Sequence, residues 1–232
     1  MEISNPLVTV LMPVYNGEKY LSQAIESILR QTYAEYEFLI IDDCSNDKSV
    51  SIVKYYNDER IKLIINEKNI GQSRTLNIGI KLAKGKYIAR IDQDDIAFPN
   101  RLKYQMKYIE LNNSSILGTW SERINEKSTV TGYIQHPTND ELIINSMAIN
   151  CPLSHSSILM KKKDIVRIGM YSKNFLIAMD WDLWIRAAKN KLKINIMPEY
   201  LVKIRFHENQ TTKNQDVLYN ETLILMKHAR EE

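Results

Sequence analysis

Three carboxylates fall within four residues at Asp92-Gln93-Asp94-Asp95, directly after the apolar run 87–91. Like charges at this spacing repel, so the cluster calls for a countercharge. An Asp-x-Asp pair of hard oxygen donors suits Mg²⁺ or Mn²⁺, with water and diphosphate oxygens filling the remaining positions. Such a cation neutralises acids that could not otherwise gather. The alternative is a solvated turn in which Asp95 or Asn100 caps the next helix. A second acidic pair, Asp42-Asp43, ends the apolar run 38–41. A carboxylate there could accept a hydrogen bond from a nucleobase N–H or a ribose hydroxyl. The alternative is a turn in which Ser45 or Asp47 caps the following helix.

Strands must place these acids. Runs 7–12, 38–41, 61–65 and 87–91 are short and nearly continuous in apolar character, as in strands buried on both faces. Between them, apolar residues recur at helical spacing: Leu21, Ala24, Ile25 and Ile28; Val50, Val53 and Tyr56; Leu76, Ile80 and Ala83. The βαβαβαβ alternation predicts an α/β fold with a mostly parallel central sheet and helices on both faces. Ligands of such sheets gather outside the carboxyl ends of the strands. Tyr15-Asn16, Asp42-Asp43 and Asp92 to Asp95 all follow strands, so they should meet at one sheet edge.

The second half is less regular. Residues 101–111 and 178–189 read as helices, and 116–120, 156–160 and 194–197 as strands. From Asn209 the chain turns polar, then amphipathic over 217–230. This tail reads first as a core-packing helix; contact with a membrane surface and a homodimer helix are the alternatives. The chain is taken as one domain, with a regular first half over 1–110, a less regular second half over 111–208, and a helical tail over 209–232.

Composition removes several classes. Lys plus Arg is 31 and Asp plus Glu is 28, a net charge of +3, which does not argue for nucleic acid. No apolar run approaches the ~20 residues of a membrane span. The N-terminus lacks a secretory pattern. Cys44 and Cys151 are the only cysteines, too few and too far apart for a disulfide framework or zinc site. The expected location is cytoplasmic, extending to the inner face of the membrane.

Several segments together resemble the family 2 glycosyltransferases of GT-A fold. VTVLMPVYNGEKYLSQAIESILRQTYAEYEFLIIDDCSNDKS resembles the N-terminal signature, NIGQSRTLNIGIKLAKGKYIARIDQDDIAFPNRL its continuation through Asp-x-Asp, and AMDWDLWIRA the later segment with the catalytic base. The resemblance implies that Pro13, Tyr15 and Glu18 border the nucleotide, with Tyr15 against the base. It implies that Asp43 recognises the base beside Asp42, and that Arg74 approaches the base or diphosphate. Asp92 and Gln93 would face the donor; Asp94, with Asp92 and His207, would hold Mn²⁺ or Mg²⁺. Asp95 would support or cap, and Arg101 would pair with these acids.

Asp180 would be the base. Met179 stands where the family commonly has Glu, which removes a neighbouring acid. Asp182 is a rival, but two residues along a helix it points away from Asp180. Trp181, with Trp184 beside it, could line the acceptor site, though at this spacing one of the pair is expected in the core. His155 could approach the diphosphate or acceptor, with a structural role as its alternative. The implied activity is metal-dependent, inverting transfer from a nucleotide diphosphate sugar, UDP-linked by default. The acceptor would be a hydroxyl of a glycan or lipid-linked acceptor in cell-surface polysaccharide synthesis. A sugar nucleotidyltransferase, a carboxylate-pair hydrolase and a non-catalytic binding module are the rivals. The first usually carries a Gly-rich basic segment near the first strand, where this chain has Tyr15-Asn16-Gly17-Glu18.

Overall fold

Strands β1 (Val8–Val14) and β2 (Tyr36–Asp42) are buried at every position. Only a central place in a sheet covered on both faces accommodates such runs. The computed structural model, which describes residues 7–208, 210 and 214–230, provides it. β3 (Ile61–Ile65), β2, β1 and β4 (Tyr87–Arg90) lie side by side and parallel. Helices α1 (Leu21–Leu29), α2 (Ser49–Tyr55) and α3 (Gln72–Leu82) make the crossovers.

The second half extends the same sheet with mixed pairing. It contains β5 (Ile96–Ala97), α4 (Arg101–Leu111), β6 (Ile116–Ile124), β7 (Val130–Ile134), α5 (Asp140–Ser146), β8 (Leu159–Lys161), α6 (Lys162–Arg167), α7 (Met179–Lys189), β9 (Ile194–Arg205) and α8 (Gln215–Arg230). The order is β3-β2-β1-β4-β8-β6-β9-β5, with β7 paired to β6. β8 runs antiparallel to β4 and β6, whereas β6 and β9 are parallel.

One core, including Leu11, Ile80, Ile88, Ile116 and Trp184, fills the sheet face under α3 and α7. The other, including Val10, Ile25, Phe38, Ala89 and Met106, fills the face under α1 and α4. Alternation along each strand divides the two sets.

Several second-half elements depart from expectation. The strands expected at 116–120 and 194–197 run on to Ile124 and Arg205. They do so because each pairs with the other along its length, a non-local support that apolar runs do not report. The expected strand 156–160 is a 3₁₀ turn, His155–Ser157, followed by β8. β5, β7, α5 and α6 were not foreseen; β7 is a largely exposed VTGYI with little apolar contrast. α8 packs on the core through Leu225, as the first reading of the tail has it. Asn209, where the polar stretch begins, lies outside the described residues. No described helix is long and apolar enough to cross a membrane.

The chain order reverses between β1 and β4, since β1 has β2 on one side and β4 on the other. The crevice beyond their carboxyl ends is where such a sheet takes a ligand.

Candidate active site

Tyr15 and Gln93 leave β1 and β4 and meet across that crevice. The Tyr15 N–H donates to Gln93 Oε1 (2.8 Å), and Gln93 Nε2 donates to the Tyr15 carbonyl (3.0 Å). Gly17 leaves room for this pairing: a Cβ on it would lie 2.4 Å from Gln93 Oε1 and displace the amide. Gln93, expected to face the donor, thus stitches two loops with its amide. Tyr15 is 42% exposed beside it, and Pro13 is buried within β1.

The loops after β1 and β2 are laced together. The Asn16 N–H donates to Ser45 Oγ, the Gly17 N–H to Ser49 Oγ and the Glu18 N–H to Asp47 Oδ2, each at 2.9 Å. The Glu18 carboxylate accepts from the Lys48 N–H (3.0 Å) at the start of α2, where a helix offers unpaired amides. Asp42 accepts from the N–H and hydroxyl of Ser45 (2.9 and 2.6 Å). Glu18 and Asp42, expected beside the nucleotide, therefore have their carboxylates occupied in holding the loops.

Asp43 is buried and accepts from Asn66 Nδ2 (2.8 Å) and from the N–H groups of Ile70 (3.0 Å) and Gly71 (2.8 Å). It fixes the turn into α3, where Gly71 has φ 85°, a conformation that favours glycine. Arg74 lies one turn into α3 and is exposed, with Nη1 3.4 Å from the Ile70 carbonyl.

Beyond β4 the acids each have a distinct partner. Both Asp92 oxygens accept from the fully buried Arg90 guanidinium, and Ser156 Oγ donates to Asp92 Oδ2 (3.1 Å). Asp94 Oδ2 lies 2.9 Å from His207 Nε2. Asp95 is buried and accepts from the Arg205 N–H (2.8 Å). Burial pushes the Asp95 carboxyl well above its ordinary value, and the charges of Asp94 and Asp92 push the same way. Burial also raises Asp92, against the pull of Arg90. One oxygen from each acid lies within 4.8 Å of the others. Three hard oxygen donors with an imidazole alongside fit a divalent cation, whose charge would offset the burial and mutual repulsion that raise Asp92 and Asp95.

Arg101 was expected to pair with these acids. It bonds instead to the carbonyls of Arg90 (2.7 Å) and Ile158 (3.1 Å) and to Gln105. Burial, and next the neighbouring charge of Arg90, bring its guanidinium down to about 9. It buttresses β4 from below the acids.

Asp180 opens α7 on the same sheet face as Arg90. Its Oδ1 accepts from the Trp181 N–H (2.8 Å), and Cys151 Sγ lies 3.8 Å from Oδ2. Burial raises its carboxyl to about 6; Arg90 pulls it down and Asp92 pushes it up. Asp180 thus shares an electrostatic environment with Asp92. Asp182 is turned away, paired with Arg186 at 2.7 Å. Trp181 requires correction: it is 4% exposed, and its Nε1 donates to the Met147 carbonyl (3.1 Å). Trp184 is also buried, so both rings are core side chains, where only one of the pair was expected. His155 Nε2 lies 2.7 Å from Tyr171 Oη, and burial beside Arg90 holds the imidazole well below its ordinary value, hence neutral.

Sequence reasoning missed the residues that set Asp180 in place. Glu221 of α8 accepts from three successive N–H groups, Leu176 (2.6 Å), Ile177 (3.0 Å) and Ala178 (2.9 Å). α7 has no side-chain cap of its own, so a carboxylate from another helix satisfies the amides before it. Asn77 of α3 exchanges two hydrogen bonds with the Tyr171 backbone (2.8 and 3.0 Å), and Ser73 Oγ donates to the Phe175 carbonyl (3.3 Å). Partners 43 to 102 residues apart leave no local signature. Arg90 had one: a charge inside an apolar run beside an acid.

Residues 9–169 match the family described as Glycosyl transferase family 2. An uncharacterized glycosyltransferase of Methanocaldococcus jannaschii is 37% identical over 209 residues, covering 88% of this chain and 72% of the relative. The Escherichia coli UDP-Glc:alpha-D-GlcNAc-diphosphoundecaprenol beta-1,3-glucosyltransferase WfgD is 33% identical over 184 residues, 79% and 70% of the two chains. Among solved structures, S. aureus TarS 1-349 in complex with UDP-GlcNAc superposes with a TM-score of 0.79 at 20% identity, covering 96% of this chain. The Pyrobaculum calidifontis mannosyltransferase PcManGT in complex with GDP-Man and Mn²⁺ superposes at 0.74 and 15% identity, covering 100%. This chain spans 66% of each of those two solved chains, just under two thirds. The curled α/β sheet is thus the GT-A fold, and with that architecture and these relatives the chain belongs to the family 2 glycosyltransferases.

Proposed function

We propose that the chain transfers a sugar from a nucleotide diphosphate sugar to a hydroxyl of a glycan or lipid-linked acceptor, inverting the anomeric carbon. The observation that carries this reading is the gathering of Asp92, Asp94, Asp95 and His207 at the switch point, with Asp180 on the same sheet face. Asp94, His207 and Asp92 would hold Mn²⁺ or Mg²⁺, which neutralises charge on the departing diphosphate when bound.

The chain's own residues do the rest. Tyr15 and Asp43 border the base, and Arg74 offers its exposed guanidinium to the base or diphosphate. Arg90 holds Asp92 in one orientation towards the donor. Asp180, with its proton affinity raised by burial, accepts the proton of the attacking hydroxyl. Attack opposite the leaving group inverts the configuration. A UDP-linked donor is favoured by the names of WfgD and of the TarS complex, and the WfgD name favours a diphosphate-lipid acceptor. Such an acceptor places the reaction at the inner membrane face.

The test is a donor screen with Mn²⁺, using UDP-glucose, UDP-GlcNAc and GDP-mannose and following nucleotide diphosphate release and the product anomer. Release that depends on Asp180, with an inverted product, is expected. Retained configuration would contradict the proposed role of Asp180. Pyrophosphate from a nucleoside triphosphate plus sugar phosphate would favour the nucleotidyltransferase reading.

A further inference from the structure

With Trp181 in the core, the acceptor side lacks the aromatic contact expected of it. Three other rings stand close together on the second half of the sheet. Trp120 of β6 and Tyr200 of β9 have centroids 5.5 Å apart, and Tyr200 and Tyr133 of β7 have centroids 5.1 Å apart. Tyr133 is 65% exposed, and Trp120 and Tyr200 are each partly exposed.

Strand register locates this patch relative to the acids. Ile88 of β4 is level with Met160 of β8, and Met160 with Ile116 of β6. The last level paired across all three strands, Ala89–Leu159–Leu117, lies three residues before Asp92 on one chain segment and three before Trp120 on the other. At that level β4 and β6 are two strand spacings apart, about 10 Å. The face is also shared. Ile88 and Ile116 belong to one core, the two-residue period carries that face on to Arg90 and to Trp120, and Arg90 is bonded to Asp92. Trp120 packs against the same core as Cys151, the neighbour of Asp180. A hydrogen-bonded path leads from the patch to the acids: Trp120 Nε1 donates to the His136 carbonyl (3.0 Å), and His136 Nε2 lies 3.0 Å from Ser154 Oγ. Ser154 precedes the turn whose Ser156 binds Asp92.

Two register shifts flank Trp120 where β6 pairs with β9. Such irregularities re-aim side chains and recur beside functional sites. Polar neighbours complete the patch, with the Glu122–Lys203 ion pair (3.3 Å) next in register to Tyr133. Rings that present an electron-rich face, edged by hydrogen-bonding side chains, suit a pyranose, whose axial C–H groups are weakly positive and whose hydroxyls need partners.

We infer that Trp120, Tyr133 and Tyr200 form a glycan subsite that seats a pyranose of the acceptor beside the transfer site. This rests on the reading that the acceptor carries sugar.

The test uses direct binding, so that it is decided without turnover. Saturation-transfer NMR would be run on the full chain with p-nitrophenyl β-glucoside, β-GlcNAc, α-GlcNAc and α-mannoside, each with and without UDP and Mn²⁺. At least one glycoside should receive saturation at its pyranose C–H protons. Tyr133→Ala and Trp120→Ala should weaken that binding by about fivefold to tenfold, the scale of a lost ring contact, with UDP affinity unchanged. Tyr133 is exposed, so its variant decides the matter even where Trp120→Ala fails to fold. Equal glycoside binding by wild type and Tyr133→Ala overturns the subsite, as does absence of binding by all four. A concentration-dependent dimer abolished by Tyr133→Ala in sedimentation would make the patch an interface between copies and overturn it too. Failure of UDP binding alone strikes the donor reading and leaves the glycoside result to stand by itself.

Discussion

His207 Nε2 reaches Asp94 Oδ2 at 2.9 Å across 113 residues of sequence. The contact depends on β9 running its full length to Arg205, which brings His207 beside the loop that follows β4. Tyr20 supports the imidazole, with ring centroids 5.2 Å apart.

If this pair holds the cation, His207→Ala and Asp94→Ala should each lose about 10–100-fold in affinity for the nucleotide diphosphate in the presence of Mn²⁺. The loss should shrink when the metal is chelated. Isothermal calorimetry with UDP, with and without EDTA, reads both quantities. Equal affinity in the two conditions for the wild type would remove the metal from the site.

Asp180→Asn keeps the shape of the side chain and removes the proton acceptor. Transfer should fall by about 10²–10⁴-fold, while UDP affinity stays within about twofold of wild type. Rate and binding measured on one preparation separate the two effects.

The pH response of Asp180 has opposite signs for activity and stability. Burial lifts its carboxyl from the ordinary 3.8 to about 6. The base must be ionised, so the rate should drop about tenfold per pH unit below that value. For stability, the folded chain holds the proton more tightly than the unfolded one. Below about pH 4 both states are protonated and the group costs nothing; as pH rises to about 6 that stability is lost, on the order of 1–3 kcal/mol. Asp180→Asn should therefore melt higher than wild type at pH 7.5, with the gain vanishing near pH 4. Scanning calorimetry at the two pH values checks this.

Glu221→Ala leaves three amides before α7 without their acceptor. It should cost about 2 kcal/mol or more in stability, since hydrogen bonds to a charged group are the stronger kind. The rate constant for transfer should fall more than the donor KM rises, because the residues proposed to border the nucleotide lie on other elements. Glu221→Gln retains one acceptor oxygen and should recover part of the rate. Equal losses in donor affinity and rate would indicate general unfolding instead.

The first half of the fold was legible because its strands are short, mostly apolar and consecutive, and each pairs in parallel with a near neighbour. Asp92, Asp94 and Asp43 stood out as acids following such strands, and the topology does bring those strand ends together. Asp42 and Glu18 looked the same in sequence. Hydrogen bonds tie both into the loops, Ser45 for one and the Lys48 amide for the other, as Asn66 and the Ile70 and Gly71 amides tie Asp43, and none of these partners can be read from the acids' own positions. Trp181 was misplaced for a related reason. A tryptophan beside a candidate base looks like an acceptor contact, but its indole meets the Met147 carbonyl at the end of α5, a short helix with little periodic signal. The aromatic patch escaped notice because its three rings come from three strands, one of them the weakly apolar β7.

The Asn77 and Ser73 contacts make α3 a ruler between two stations. At one end Asp43 grips the Ile70 and Gly71 amides; six residues on, Asn77 grips the strand of chain that leads to Asp180. At 1.5 Å of rise per residue that interval is about 9 Å, and it is graduated in steps of about 100° as well. A single residue inserted between Gln72 and Ser73 would swing both Ser73 and Asn77 off their mark by that angle. The span from Asp43 to Asp180 would then be miscut, although every side chain in the crevice remained the same.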